Sequence, residues 1–362
     1  MAKTFIKQYI KKNKDILLTK ENFNEVDAAI LSTLCLIDVR SCIPFEGEQK
    51  ITTVKLALHS QIKKHGVSKL GLILPVSLTK ALLQASQTER FGNLVIHDLH
   101  QNVSNKSNTQ STFFLIDLDK ETKIVIFGST DDSVAGWLEN IELLKTSEPK
   151  CAIEALKYVE KHFDKKYKYF FVGHSKGGLE CAYTYLNVPK VIKNNILKAY
   201  DFDGPGFSLE TIKNFRNKPD NFELICPQSS CVGRFFHQPC EYKIVKAKKF
   251  GVLQHNPNTW QIENDHFVTT NKFTRLSTKE MTAVNCSFQN LSKEQKEQLI
   301  NSTINVISSK DENTLTQLAK HPFKILCKFI NLSKQEKKNF RRVAISIIQN
   351  RYFKKDLNNK NS

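Results

Sequence analysis

No stretch of the 362-residue chain approaches the roughly 18 consecutive apolar residues that a membrane-spanning helix requires. Its opening, Met1-Ala2-Lys3-Thr4-Phe5-Ile6-Lys7, is basic but has neither a continuous apolar run nor a small-residue cleavage site, so it does not read as a secretory signal. Disulfide logic is also missing. The nine cysteines are odd in number, scattered and mostly set in apolar segments such as Leu34-Cys35-Leu36 and Leu326-Cys327-Lys328. Cys226, Cys231 and Cys240 lie near one another but lack the paired spacing and histidines of a zinc site. Free thiols in a reducing, cytoplasmic compartment are the expectation. Acidic residues are in deficit, 36 against 54 Lys and Arg, for a net charge of +18. Such a charge can attract nucleic acid or an anionic membrane surface. No nucleic-acid motif accompanies it and the lysines are spread along the chain, so no nucleic-acid partner is expected, while a membrane surface stays open. The apolar fraction, 40%, and the length suffice for one large α/β domain with an appendage.

The chemistry-bearing feature is Tyr169-Phe170-Phe171-Val172-Gly173-His174-Ser175-Lys176-Gly177-Gly178. An aromatic and β-branched run enters Gly-x-Ser-x-Gly, and a helical segment, Leu179 to Leu186, follows. This is the strand–turn–helix setting in which Gly-x-Ser-x-Gly forms a nucleophile elbow. Glycines two residues either side of the serine let strand and helix approach closely while the serine sits in a strained conformation.

Strand and helix patterns alternate around it. Strands are predicted at Leu94–Asp98, Thr112–Leu118, Lys123–Phe127, Ile196–Phe202, Phe222–Cys226 and Tyr242–Val245. Helices are predicted in residues 1–20, Phe23–Asp38, two or more within 50–90, Ser133–Leu144, Cys151–Phe163 and Leu209–Phe215. Ser104 to Gln110 reads as a polar turn. The fold class is therefore α/β, with a mostly parallel central sheet covered by helices. Residues 1–275 form that domain, 276–355 a helical C-terminal region, and 356–362 a disordered tail. Capping boxes, Ser292 with Gln295 and Ser333 with Glu336, start two of the C-terminal helices. The face built from Phe340, Val343, Ala344, Ile347, Ile348 and Tyr352 suits docking on the rest of the protein.

Five segments in order resemble the lipase branch of the α/β-hydrolases, in particular bacterial lipase-like proteins related to the fungal, class 3 lipases. They are residues 23–38, Lys123 to Asp132 with Gly136-Trp137, the elbow, Tyr200 to Phe207, and Gln254 to Trp260. The resemblance covers residues 23–265 and implies a serine esterase or lipase of acyl esters or lipids, with no metal or organic cofactor. Ser175 would be the nucleophile and His255 its base, with His237 and His266 as competitors; the His174 side chain should point away from Ser175 Oγ. The "Asp-x-Val" turn of fungal-type lipases is broken, since Ser230 stands where its aspartate is expected. Asp203 becomes the candidate acid and Asp201 the alternative, as in pancreatic-type lipases, although Asp203 could merely cap the Gly-Pro-Gly turn. Failing both, Ser230 would hold the imidazole by a neutral hydrogen bond. The oxyanion hole would use the Lys176 N–H with an N–H from Ser129 or Thr130, and the Lys176 side chain, with Asp131 and Asp132, would shape the pocket entrance. The broken turn and long helical tail also fit a catalytically impaired binding or scaffold protein on the same fold.

Overall fold

Strands as uniformly apolar as Thr112–Leu118 and Lys123–Phe127 must be covered on both faces. The computed structural model describes residues 4–36, 42–48, 50, 52–66, 76–104, 109–130, 139, 149–289, 291–307 and 327–353. Eight strands pair in chain order: β1 (Thr52–Thr53), β2 (Val95–Ser104), β3 (Thr109–Asp117), β4 (Thr122–Phe127), β5 (Lys168–His174), β6 (Ile196–Phe202), β7 (Phe222–Pro227) and β8 (Tyr242–Val245). The pairings from β1 to β4 are antiparallel and those from β4 to β8 parallel. A small hairpin, β9 (Ile262–Glu263) with β10 (His266–Phe267), follows.

The pleat sorts the apolar residues by parity. Phe114, Ile116, Ile124, Ile126, Phe170 and Val172 face one core, shared with α1 (Ile6–Lys12), α2 (Glu25–Ser32), α3 (Val54–His65) and α4 (Val76–Ser86). Phe113, Leu115, Val125, Phe127 and Phe171 face the other. That second layer is α6 (Lys150–His162) and α7 (Lys176–Asn187). The first layer is pinned by a buried ion pair, Arg90 Nη2 to Asp27 Oδ2 at 2.6 Å, joining α5 (Glu89–Gly92) to α2. Short helices α8 (Lys190–Lys193) and α9 (Leu209–Lys213) connect later strands.

After β10 come α10 (Arg275–Gln289), α11 (Lys293–Ile307) and α12 (Lys334–Phe353), with α12 packed on α10 and α11. Both capping boxes form reciprocally. Gln295 N donates to Ser292 Oγ at 3.2 Å and Ser292 N to Gln295 Oε1 at 3.0 Å. Ser333 and Glu336 repeat the exchange at 2.8 and 3.2 Å. Among the described residues no helix is long and apolar enough to cross a membrane.

The sequence reading departs from the structure on the antiparallel side. Residues 50–90 contain β1 as well as helices. The predicted strand from Leu94 runs on to Ser104 through a register shift between His97 and His100, with Asp98 at φ 54. Alternating polar residues there (His97, His100, Asn102) hid the strand's length, because one face meets side chains of α6 instead of apolar core. Of the nine cysteines, Cys35, Cys151, Cys181 and Cys226 are buried and Cys327 is exposed. The helix read at Ser133–Leu144 lies outside the described residues apart from Glu139, as does the tail from 354 onward.

Candidate active site

Ser175 follows the last residue of β5 and caps α7 with φ 59 and ψ −125. A non-glycine residue there stores roughly 1–3 kcal/mol of strain. Backbone contacts hold it: Ser175 N donates to Phe202 O at 3.0 Å, and Gly178 N and Leu179 N donate to Ser175 O at 2.9 and 3.3 Å. The flanking glycines are required by space. A Cβ on Gly173 would overlap the Gly177 carbonyl, and one on Gly177 would overlap the Phe127 carbonyl. Ser175 is half-buried between fully buried neighbours, and its Oγ makes no hydrogen bond among the described residues.

β6 ends beside the elbow and delivers Asp203, at φ 56, with its N–H donating to Ile225 O at 2.9 Å. The Asp203 carboxylate is fully buried. Its Oδ2 accepts from His255 Nδ1 at 2.7 Å. Its Oδ1 accepts from Ser230 Oγ, from Gly233 N at 3.1 Å and from Cys226 Sγ at 3.3 Å. Ser230 therefore holds the carboxylate, and the fallback in which it would hold the imidazole itself does not arise, because Asp203 reaches His255. Asp201 directs Oδ1 at Gly204 N, 2.8 Å away, and leaves Oδ2 buried without a partner among the described residues. Burial, with the nearby Asp203 charge, pushes the Asp201 carboxyl well above the usual carboxylate range.

His255 closes a 3₁₀ turn, Gly251–His255, that follows β8. Its position is set from beneath. Gln254 is fully buried, accepts from Ser229 N at 2.7 Å and donates to Lys249 O. The buried Trp260 indole donates to Gln254 O at 2.7 Å. Gln254 and Trp260 flank His255 in the sequence, and a polar residue and an indole on either side of the histidine are the signal for this supporting role. The His174 and His255 rings pack at a 35° tilt with centroids 4.5 Å apart, and His174 Nε2 donates to His255 O at 2.8 Å. Burial, then the neighbouring His255, pushes His174 down to about 3, so it stays neutral with the proton on Nε2. Of the competing histidines, His266 is exposed on β10, and His237 is paired through its backbone with Phe207.

Two expectations need correction. Lys176 does not shape an entrance: its side chain is buried, with Nζ 3.0 Å from Glu139 Oε2 and 2.6 Å from Gln110 Oε1. Burial works against its charge, but Glu139 and Glu180 outweigh that and hold the ammonium protonated. Apolar context next to the elbow hid this pair, since Glu139 lies 37 residues away in sequence. Ser129 N–H donates to Cys35 Sγ at 3.2 Å, so it is already occupied as a donor, and Ser129 Oγ donates to the His174 carbonyl. The Lys176 N–H, at the first position of α7, has no intrahelical acceptor. Thr130 lies three residues beyond the last residue of β4, while Asp131 and Asp132 lie outside the described residues.

These features define an α/β protein whose strand ends carry a serine elbow beside an Asp–His pair. Residues 85–305 match the family described as Mbeg1-like, and the chain belongs to that family. Comparison with curated proteins yields no match. Among solved structures, one described as the crystal structure of M37 lipase is similar at 14% identity and a TM-score of 0.34, over 60% of this chain and 70% of that one.

Proposed function

We propose that the chain is a serine hydrolase of acyl esters on an α/β-hydrolase fold, acting through Ser175, His255 and Asp203. The observation that carries the reading is the 2.7 Å contact from His255 Nδ1 to Asp203 Oδ2, on a histidine whose ring packs at a tilt against that of His174, the residue next to Ser175. Because Nδ1–H donates to the carboxylate, Nε2 keeps its lone pair. Nε2 takes the Ser175 Oγ proton as Oγ attacks the ester carbonyl. The alcohol then leaves with that proton, and water hydrolyses the acyl-serine by the reverse transfer. The Lys176 N–H, aided by the α7 dipole, faces the developing oxyanion. Of the two residues expected to give the second donor we assign Thr130, since Ser129 N–H is engaged by Cys35.

A non-catalytic reading has one observation in its favour: Ser175 Oγ makes no hydrogen bond among the described residues. Catalytic hydrogen bonds are often long without substrate, which keeps the hydrolase reading ahead. Turnover of short-chain p-nitrophenyl esters separates the two. Wild type is expected to hydrolyse them and Ser175→Ala to lose about a factor of 10⁶ in kcat; a folded wild type without turnover above Ser175→Ala would leave the binding-protein reading.

A further inference from the structure

The two most exposed large apolar side chains among the described residues are Phe250 and Leu253, at 76% and 62% exposure. They stand three residues apart on the segment that ends at His255. Just before them Lys246, Lys248 and Lys249 are exposed, while Val245 and Ala247 point inward. From Val245 to Ile262 the chain has no Asp or Glu. The projection is built in. Gln254, held by Ser229 N and the Trp260 indole, fixes the turn from below, and Gly251 at φ 54 bends the chain between the two apolar residues.

Two rigidly presented apolar side chains beside a cluster of lysines match a charged surface with an apolar interior. We propose that this loop docks on an anionic lipid bilayer, with Phe250 and Leu253 entering the interface and Lys246 and Lys249 meeting lipid phosphates. Lys248 is committed elsewhere, its Nζ lying 3.8 Å from the Phe5 ring centroid. Polyphosphate backbones would satisfy the lysines, but Leu253 offers no ring to stack on a base. Attraction operates within a Debye length of about 8 Å at physiological salt, so lysines this close to the apolar tip act on the same surface. Since His255 is two residues from Leu253, docking brings the candidate site to the bilayer and names its substrate class as the acyl ester of a lipid. That last clause rests on the hydrolase reading; the docking does not.

The test uses the full chain carrying Ser175→Ala, which keeps binding separate from turnover. Cosedimentation is measured with vesicles of phosphatidylcholine mixed with phosphatidylserine, and with phosphatidylcholine alone. Binding to the mixed vesicles at low salt, weakening as salt rises, is expected. Lys246→Ser with Lys249→Ser should weaken it about fivefold per lysine, and Phe250→Ser with Leu253→Ser roughly tenfold or more. Each variant is qualified by a thermal melt matching its parent. Equal binding to both vesicle types, or variants that bind as tightly as the parent, would overturn the proposal. So would a dimer that the Phe250→Ser/Leu253→Ser protein loses, or RNA binding indifferent to those two residues. A folded chain with Ser175 intact that binds the mixed vesicles but turns over no ester sinks the hydrolase reading alone.

Discussion

At the residue scale the account turns on which carboxylate serves His255. Asp203 touches the imidazole and holds three further donors; Asp201 turns away toward Gly204. Asp203→Asn is therefore expected to keep the fold and lose about 10⁴ in kcat, because an amide cannot hold the productive tautomer. Asp201→Asn keeps an acceptor for Gly204 N and should leave kcat within about tenfold. Its stability effect has a definite sign. The folded Asp201 carboxyl titrates above the ordinary aspartate range, so the folded state binds more protons than the unfolded one between those two points. Wild type then loses stability as pH rises through that window. Asp201→Asn should raise the urea midpoint at neutral pH, with the gain shrinking in acid; a gain independent of pH would contradict the buried-acid assignment. Lys176 carries the opposite lesson. A lysine beside a nucleophile looks like pocket chemistry in a sequence, and burial with Glu139 is visible once the chain is folded.

At the element scale the elbow is a packing problem solved by missing side chains. Gly177→Ala places a methyl against the Phe127 carbonyl of β4 and should cost about 1–3 kcal/mol, read as a lower urea midpoint, with turnover falling as the Lys176 N–H shifts. Trp260→Ala should cost about 3–5 kcal/mol and release the His255 turn. Much of this layer was legible from sequence. The strands Ile196–Phe202 and Tyr242–Val245 have the predicted bounds, because β-branched and aromatic runs between polar turns leave little choice. Both C-terminal capping boxes are also made as their serines and partners suggest. The edge strands were not legible. β1 is two residues long, and β2 interleaves histidines with apolar residues around a bulge, so no period of two survives. The pairing of Asp203 with His255 spans 52 residues, and local pattern could rank its candidates but not measure them.

At the scale of the whole molecule, the antiparallel edge is tied to α6 by alternating histidines and carboxylates. Asp117 and Asp98 flank His97 at 3.0 and 2.6 Å. Glu46 and Glu154 flank His100 at 3.1 and 3.9 Å. His162 bridges Asp98 and Glu46 at 3.9 and 3.7 Å, and Lys123 and Lys161 flank the ends. Burial lowers His97, but Asp117 and Asp98 outweigh it and raise it overall. Glu154 and Glu46 raise His100 against its burial, whereas burial lowers His162. For the raised pair, stability is fully present below the unfolded histidine value and is lost as pH climbs through the folded one. The His97→Gln/His100→Gln protein should therefore lose less urea resistance than wild type as pH climbs above the ordinary histidine value of about 6.5. Equal losses would remove these two residues from the pH response. The central claim concerns Ser175 alone, and the most direct measurement is mass spectrometry of the protein after a fluorophosphonate probe. The account predicts one adduct, on the peptide containing Ser175, absent from Ser175→Ala and slowed in Asp203→Asn. A folded wild type that stays unmodified, or an adduct that persists in Ser175→Ala, would contradict it.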